Sequence, residues 1–299
     1  VLFFVFDVSG MLILRQAGYH SRPGAGSTPI TPEDNVPRLV GVFSVFAATF
    51  LLSLLEHRTL ADYGFGGERR GRMFVNGILT GVASLSVLVI ALWQMHLLYF
   101  DGAQLSGVHA LKYGFFDGGV FLLVAFFEEA FVRGYLQYTL TRGFASLLRS
   151  LFGVENNVAA GFWSAAILLS LVFGALHLRN GGESPIGIAA AAAAGFLFCI
   201  ALWRTGSLWW AIGFHASWDW MQSFFFGVGD SGIFMRDRLL GSHPVGNPTW
   251  SGGSTGPEGS LLVFVAFLAA LVVVLFLPKS KVYPELADYE QEQPLSQLR

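Results

Sequence analysis

The apolar residues of this chain arrive in runs long enough to cross a membrane, and that limits the folds open to it. A hydrocarbon core about 30 Å thick needs about 20 mostly apolar helical residues. Candidate runs lie at 1–14, 37–56, 73–98, 113–140, 158–178, 186–203, 207–227 and 260–277. Backbone polar groups in lipid must be satisfied internally, so such runs predict helices. The expected fold class is an all-α, polytopic transmembrane helix bundle with about eight spans. Composition agrees: 13% of residues are charged, against roughly 25% in soluble domains. A single integral membrane domain is expected over 1–277, with a polar, mobile tail at 278–299. The first run is short and starts at Val1, so it reads either as a span clipped at its start or as a cleaved product. No small-residue cleavage site follows it, so it is not read as a signal peptide.

The net charge of −2 leaves no polybasic footprint, so no nucleic-acid partner is expected. Cys199 is the single cysteine and cannot form an intrachain disulfide. Lys and Arg counted over alternate loops number ten on one side and seven on the other. That bias favours cytoplasmic termini. Gly114 with Gly118, and the run AAAAAAG at 189–195, offer small faces for close helix packing in lipid. GPEGS at 256–260 suits the cap and first turn of the last span. Residues 228–259, rich in Gly, Ser and Pro, form the longest loop, with a length suited to gating a site.

Charges inside the runs carry the functional signal, because each costs roughly 2.5–3.5 kcal/mol or more at mid-bilayer. In AFFEEAFVRGYLQ, Glu129 and Arg133 are four apart and share a helix face, so they can neutralise each other. Glu128 points elsewhere and has no partner on its own helix. A lone carboxylate in a dry site suits a proton-accepting role. The bland alternative is an inter-helix polar clamp. His177 closes the run LLSLVFGALH and by itself reads as an interfacial residue. His215 and Asp219, four apart in HASWD, also share a face. Asp219 either orients the imidazole or acts directly on a ligand. Asp117 sits near the start of its run, reads as interfacial and is given no role. His20, His57, His96, His109 and His243 fall in predicted loops or at a span end. HExxH, GxSxG and CxxC are absent, which removes the signatures of zincins, serine hydrolases and thiol redox proteins.

EEAFVR, FGALH and HASWD follow one another on three apolar helices. In that order they resemble the CPBP family of intramembrane proteases (CAAX prenyl protease and bacteriocin-processing, also called ABI), whose pattern is EExxxR, then FxxxH, then HxxxN or HxxxD. Glu128, Glu129 and Arg133 match the first motif, Phe173 and His177 the second, His215 and Asp219 the third. TGSLWWAIGFH and RTLADYGFG also resemble the family's flanking sequences, so the likeness spans about 58–227. It implies peptide-bond hydrolysis at an active site within the membrane, with a peptide or membrane-protein substrate, a prenylated one included, and membrane lipids as surroundings. It also implies a bacterial plasma membrane.

Two mechanisms fit the residues. In one, Glu128 and His177 deprotonate a water while His215 and Asp219 stabilise the oxyanion. In the other, Zn²⁺ is held by Glu128, His177 and His215. The metal-free dyad is preferred. The rivals are an inactive scaffold, an immunity-type protein and a proton-coupled transporter. One geometric difficulty stands: the predicted spans put Glu128 near mid-membrane and His177 at a helix end, on the order of 10 Å apart in depth.

Overall fold

The computed structural model describes residues 2–16, 18, 36–55, 57, 59–67, 69–153 and 157–280. Val1, His20, Arg58 and the tail 281–299 lie outside the described residues. Of the described residues, 76% are helical. In order come α1 (Leu2–Gln16), α2 (Val36–Leu55), α3 (Arg70–Gln94), β1 (Leu98–Ala103), α4 (Gly107–Glu128), α5 (Gln137–Phe152), α6 (Asn157–Leu176), α7 (Pro185–Thr205) and α8 (Trp209–Trp220). Strand β2 (Leu240–Pro244), the short α9 (Pro248–Ser251) and α10 (Val263–Phe276) complete it. Among the described helices, Arg70–Gln94, Val158–Arg179 and Pro185–Thr205 are long and apolar enough to cross a membrane, and Phe43–Leu55 and Val263–Phe276 are shorter apolar helices. Large apolar side chains stay exposed along them, among them Leu79, Val87, Leu171, Val265 and Leu268. This is the outer surface of an integral membrane protein rather than of a water-soluble one.

Three features depart from the sequence expectation. The run 113–140 is not one regular helix: α4 and α5 are joined by a π-helical segment, Glu129–Leu136. A second π-helical turn, Met221–Phe225, follows α8. The fold is also not purely helical. Strand β1 pairs antiparallel with β2, from Leu98↔Pro244 to Ala103↔Leu240, with a register shift between Phe100 and Gly102. Part of the supposed long loop, Leu240–Pro244, is therefore tied to β1. His243 sits in β2, its Nδ1 2.8 Å from Asp101 Oδ1.

Helix α8 is the centre of the bundle. Its ring ladder, Trp210, Phe214 and Trp218, stacks along one face with centroids 5.2 and 5.6 Å apart. Phe267 of α10 packs on Trp218 at 5.4 Å. The entry to α8 is clamped by the loop after α2. Leu208 N donates to Gly64 O (2.8 Å), Ser207 Oγ to Gly66 O (3.2 Å) and Trp209 Nε1 to Phe65 O (3.2 Å). The two flanking stretches, RTLADYGFG and TGSLWW, are thus partners in space. They fix the rotation and height of α8, and with them the third motif.

Helices α3 and α8 touch backbone to backbone. A Cβ on Gly77 would lie 2.2 Å from Trp210 O, one on Gly81 2.6 Å from Phe214 O, and one on Gly213 2.3 Å from Phe74 O. Only glycine permits that approach. The expected Gly114 and Gly118 face packs on side chains instead, the Phe224 and Trp220 rings. Asp117, on the same helix, is buried at 3% exposure. Gly81→Ala is expected to lower unfolding stability in detergent by about 1–3 kcal/mol, the scale of forced overpacking. Gly119→Ala, where an added Cβ meets nothing within 4 Å, should leave the thermal midpoint unchanged or slightly raised. Equal midpoints for the two variants would contradict the α3–α8 contact.

Candidate active site

The two adjacent glutamates face different surroundings. Glu129 is fully buried at 0% side-chain exposure, whereas Glu128 retains 31% and faces a cavity. The switch from α to π geometry falls between them. Such i→i+5 segments occur often at functional sites. Arg133 Nη1 donates to Glu129 Oε1 at 2.9 Å, the contact that the four-residue spacing predicts. The guanidinium is itself buried, over the Phe173 ring at 4.2 Å and near the Phe198 ring at 5.5 Å. Such stacking suits a flat, weakly hydrated cation. The end of the π segment is held by Gln137, whose Nε2 donates to Phe162 O on α6 at 2.9 Å.

Helix α6 brings the second motif. It ends in a tight turn, His177–Arg179. His177 Nδ1 lies 2.8 Å from Phe173 O. A carbonyl only accepts, so Nδ1 carries the proton and Nε2 presents a lone pair. Phe173 does two jobs, packing against His177 with centroids 5.0 Å apart and lying under Arg133. That accounts physically for the phenylalanine four residues before the histidine.

The third motif closes the arrangement. His215 Nδ1 is 3.0 Å from Glu129 Oε1, so the acid held by Arg133 also orients the imidazole. His215 Nε2 is then presented to Asp219 Oδ2 at 3.4 Å and Glu128 Oε2 at 3.9 Å. Phe198 stacks on the ring, centroids 5.7 Å apart. Asp219 therefore shares the Nε2 side of His215, while Glu129 takes the Nδ1 side. Glu128, which lacks a partner on its own helix, has its nearest cationic group on α8.

Glu128, His177, His215 and Asp219 all line one cavity of about 700 Å³. His177, in the turn that follows α6, lines the same cavity as Glu128. The 228–259 segment supplies further lining groups: Asp230, Ser231 and Glu258. Ser223 Oγ donates to Asp230 Oδ2 at 2.9 Å, and Ser231 donates to Glu258 from both its backbone N and its Oγ. Burial first, then the Asp219 and Glu258 carboxylates, hold the Asp230 carboxyl well above the usual carboxylate range. Glu258 lies in a short turn, Pro257–Gly259, ahead of α10. Its carboxylate serves the cavity wall and Ser231 rather than capping the last helix.

The proposed metal ligands Glu128, His177 and His215 are of a suitable chemical type. Among the described residues, however, no three His, Cys, Asp or Glu side chains are gathered closely enough to hold a metal ion. As placed, the residues do not form a metal cage.

Sequence reasoning missed the Glu129–His215 bond, which joins residues 86 apart in the chain. It also missed Phe198 and the three loop groups. Nothing in GFLFCI marks Phe198 as more than a core residue. No curated protein and no solved structure matches this chain. Residues 114–221, which carry the three motifs, match the family model described as type II CAAX prenyl endopeptidase Rce1-like, in agreement with the motifs' resemblance to the CPBP/CAAX proteases.

Proposed function

We propose that the chain is an intramembrane endopeptidase that hydrolyses a peptide bond with a water activated by Glu128 and His177. The observation that carries this reading is the convergence of Glu128, His177, His215 and Asp219, from three separate helices, on one cavity. Glu128 Oε2 and His215 Nε2, 3.9 Å apart, leave room for a small molecule to bond to both at ordinary hydrogen-bond lengths.

The chemistry runs on the chain's own residues. A water lies between the Glu128 carboxylate and the His177 Nε2 lone pair. Glu128 takes one proton as the water oxygen attacks the carbonyl carbon. The developing oxyanion faces His215 Nε2, which donates to it. Asp219 lies beside the same nitrogen and Glu129 holds the other, so the ring keeps its aim. As the C–N bond breaks, Glu128 returns its proton to the departing amine. The new carboxyl keeps the water's oxygen, and the balance is one water consumed per bond. No step is routed through a metal, because the donor geometry does not form a cage.

The apolar part of the cavity lining, Phe121, Val124, Phe131, Ala190 and Ala194 among it, suits a peptide with a lipid-like anchor. Together with the description of the matching family, it makes a prenylated C-terminal peptide the first substrate to try, and an unprenylated membrane segment the second.

Cleavage of a fluorogenic peptide with a prenylated C-terminus, and of its unprenylated twin, tests the reading with purified protein in detergent. Glu128→Gln should fold as the parent does and lose roughly 10²- to 10⁴-fold in kcat, the range for a general base. Equal cleavage by parent and variant would reject the assignment and favour a scaffold. Chelator treatment followed by metal analysis is expected to leave full activity in metal-free protein. Loss on chelation, restored by Zn²⁺, would replace the dyad with the metal mechanism.

A further inference from the structure

Arg133 has a neighbour that none of the motifs contains. Gly195, on α7, faces the guanidinium. An added Cβ there would stand 2.4 Å from Arg133 Nη2, and 3.5 Å from Ser170 Cα and Oγ. Comfortable heavy-atom contacts begin near 3.5 Å, so a methyl group would require the guanidinium to shift by about 1 Å. A surface arginine would swing aside. This one is 1% exposed, lies on the Phe173 ring at 4.2 Å and is bonded through Nη1 to Glu129. Its Nε and Nη2 have no hydrogen-bond partner among the described residues. Packing and the bond to Glu129 hold it in place.

We propose that Gly195 is a positioning residue for the Glu129–His215 pair: the missing side chain is the slot that sets the guanidinium, and through it the carboxylate and the imidazole. The link is short. Glu129 Oε1 accepts from Arg133 Nη1 at 2.9 Å and from His215 Nδ1 at 3.0 Å. A displaced guanidinium drags the oxygen that orients His215, and turns Nε2 away from Glu128 and Asp219.

The competing explanation is an ordinary small residue at a helix crossing. Gly174, at the same α6–α7 crossing, is of that kind: its Cβ would meet Ile188 O at 2.6 Å and Ala192 Cβ at 2.9 Å. At Gly195 the α6 backbone stands at ordinary contact distance, and the tight neighbour is the arginine head. A methyl group at 195 therefore leaves the helix spacing alone and strikes the site. One at 174 does the reverse.

The effect on cleavage rests on the protease reading, whereas the geometric claim does not, and two readouts separate them. Full-length protein labelled with ¹⁵N-histidine in detergent reports the ring nitrogens of His215, assigned with His215→Gln. The prenylated fluorogenic peptide reports turnover. Gly195→Ala should move the His215 resonances and lower kcat roughly 10- to 100-fold with KM little changed, as small misplacements do. Arg133→Lys, which removes Nη1 and Nη2 together, should move the same resonances in the parent, and Gly195→Ala added to it should move them little further. Gly174→Ala should lower the thermal midpoint more than Gly195→Ala does. Parent-like resonances in Gly195→Ala, a further full-sized shift when Gly195→Ala is added to Arg133→Lys, or a midpoint loss at 195 matching that at 174 would each overturn the positioning role. A parent that cleaves neither peptide overturns the protease reading, while the resonance shifts still decide the geometric claim.

Discussion

One oxygen atom organises the site. Glu129 Oε1 accepts from Arg133 and from His215 where its side chain has no exposure to solvent. Taking one partner from a buried ion pair strands the other, at about 3–5 kcal/mol. The network therefore holds as a unit or fails as one. It also joins four segments: the π turn after α4 carries Glu129 and Arg133, α8 carries His215, and α6 and α7 supply the Phe173 and Phe198 rings beside the guanidinium. A lysine at 133 would keep the charge but lose the flat face that those rings cover. The pair is costly in lipid, and its geometric return is a histidine with one nitrogen fixed and the other presented to the cavity.

The π-helical segment lets neighbouring residues serve opposite needs. In a regular helix Glu128 and Glu129 would differ only by a 100° turn of the same surface. Here the change of pitch falls between them, with Glu129 sealed in and Glu128 left at the cavity edge. The loop after α2 acts at the other end of the site. By clamping Leu208 and Trp209 it sets where α8 begins, and so which residues of α8 reach Glu129.

Contacts within one helix could be read from spacing, and contacts between helices could not. Glu129 with Arg133, and His215 with Asp219, follow from four-residue intervals and appear at 2.9 and 3.4 Å. The Glu129–His215 bond depends on how α4 and α8 cross, which no local pattern encodes. The π turn is silent in sequence because nothing in EAFVRGYL departs from ordinary helix composition. The α3–α8 contact was legible in principle: GILTG at 77–81 carries the small-residue spacing as clearly as Gly114 and Gly118 do. Spacing alone does not say whether a small face meets backbone or a ring. The 228–259 segment reads as loop from its glycines. Its pairing through β2 and its carboxylates at the cavity come from long-range closure.

That closure bears on how water reaches a bond inside a bilayer. The cavity lining is of mixed chemistry: phenylalanines, alanines and Val124 line it together with Asp219, Asp230, Ser231 and Glu258. Carboxylates that are not all paired demand solvation, since a bare charge in hydrocarbon costs several kcal/mol. A polar site of this volume, with several acceptors and hydroxyls, can hold ordered water, whereas an apolar one stays dry. On the proposed reading, a peptide seated against the apolar part of the lining would meet that water beside Glu128 and His215.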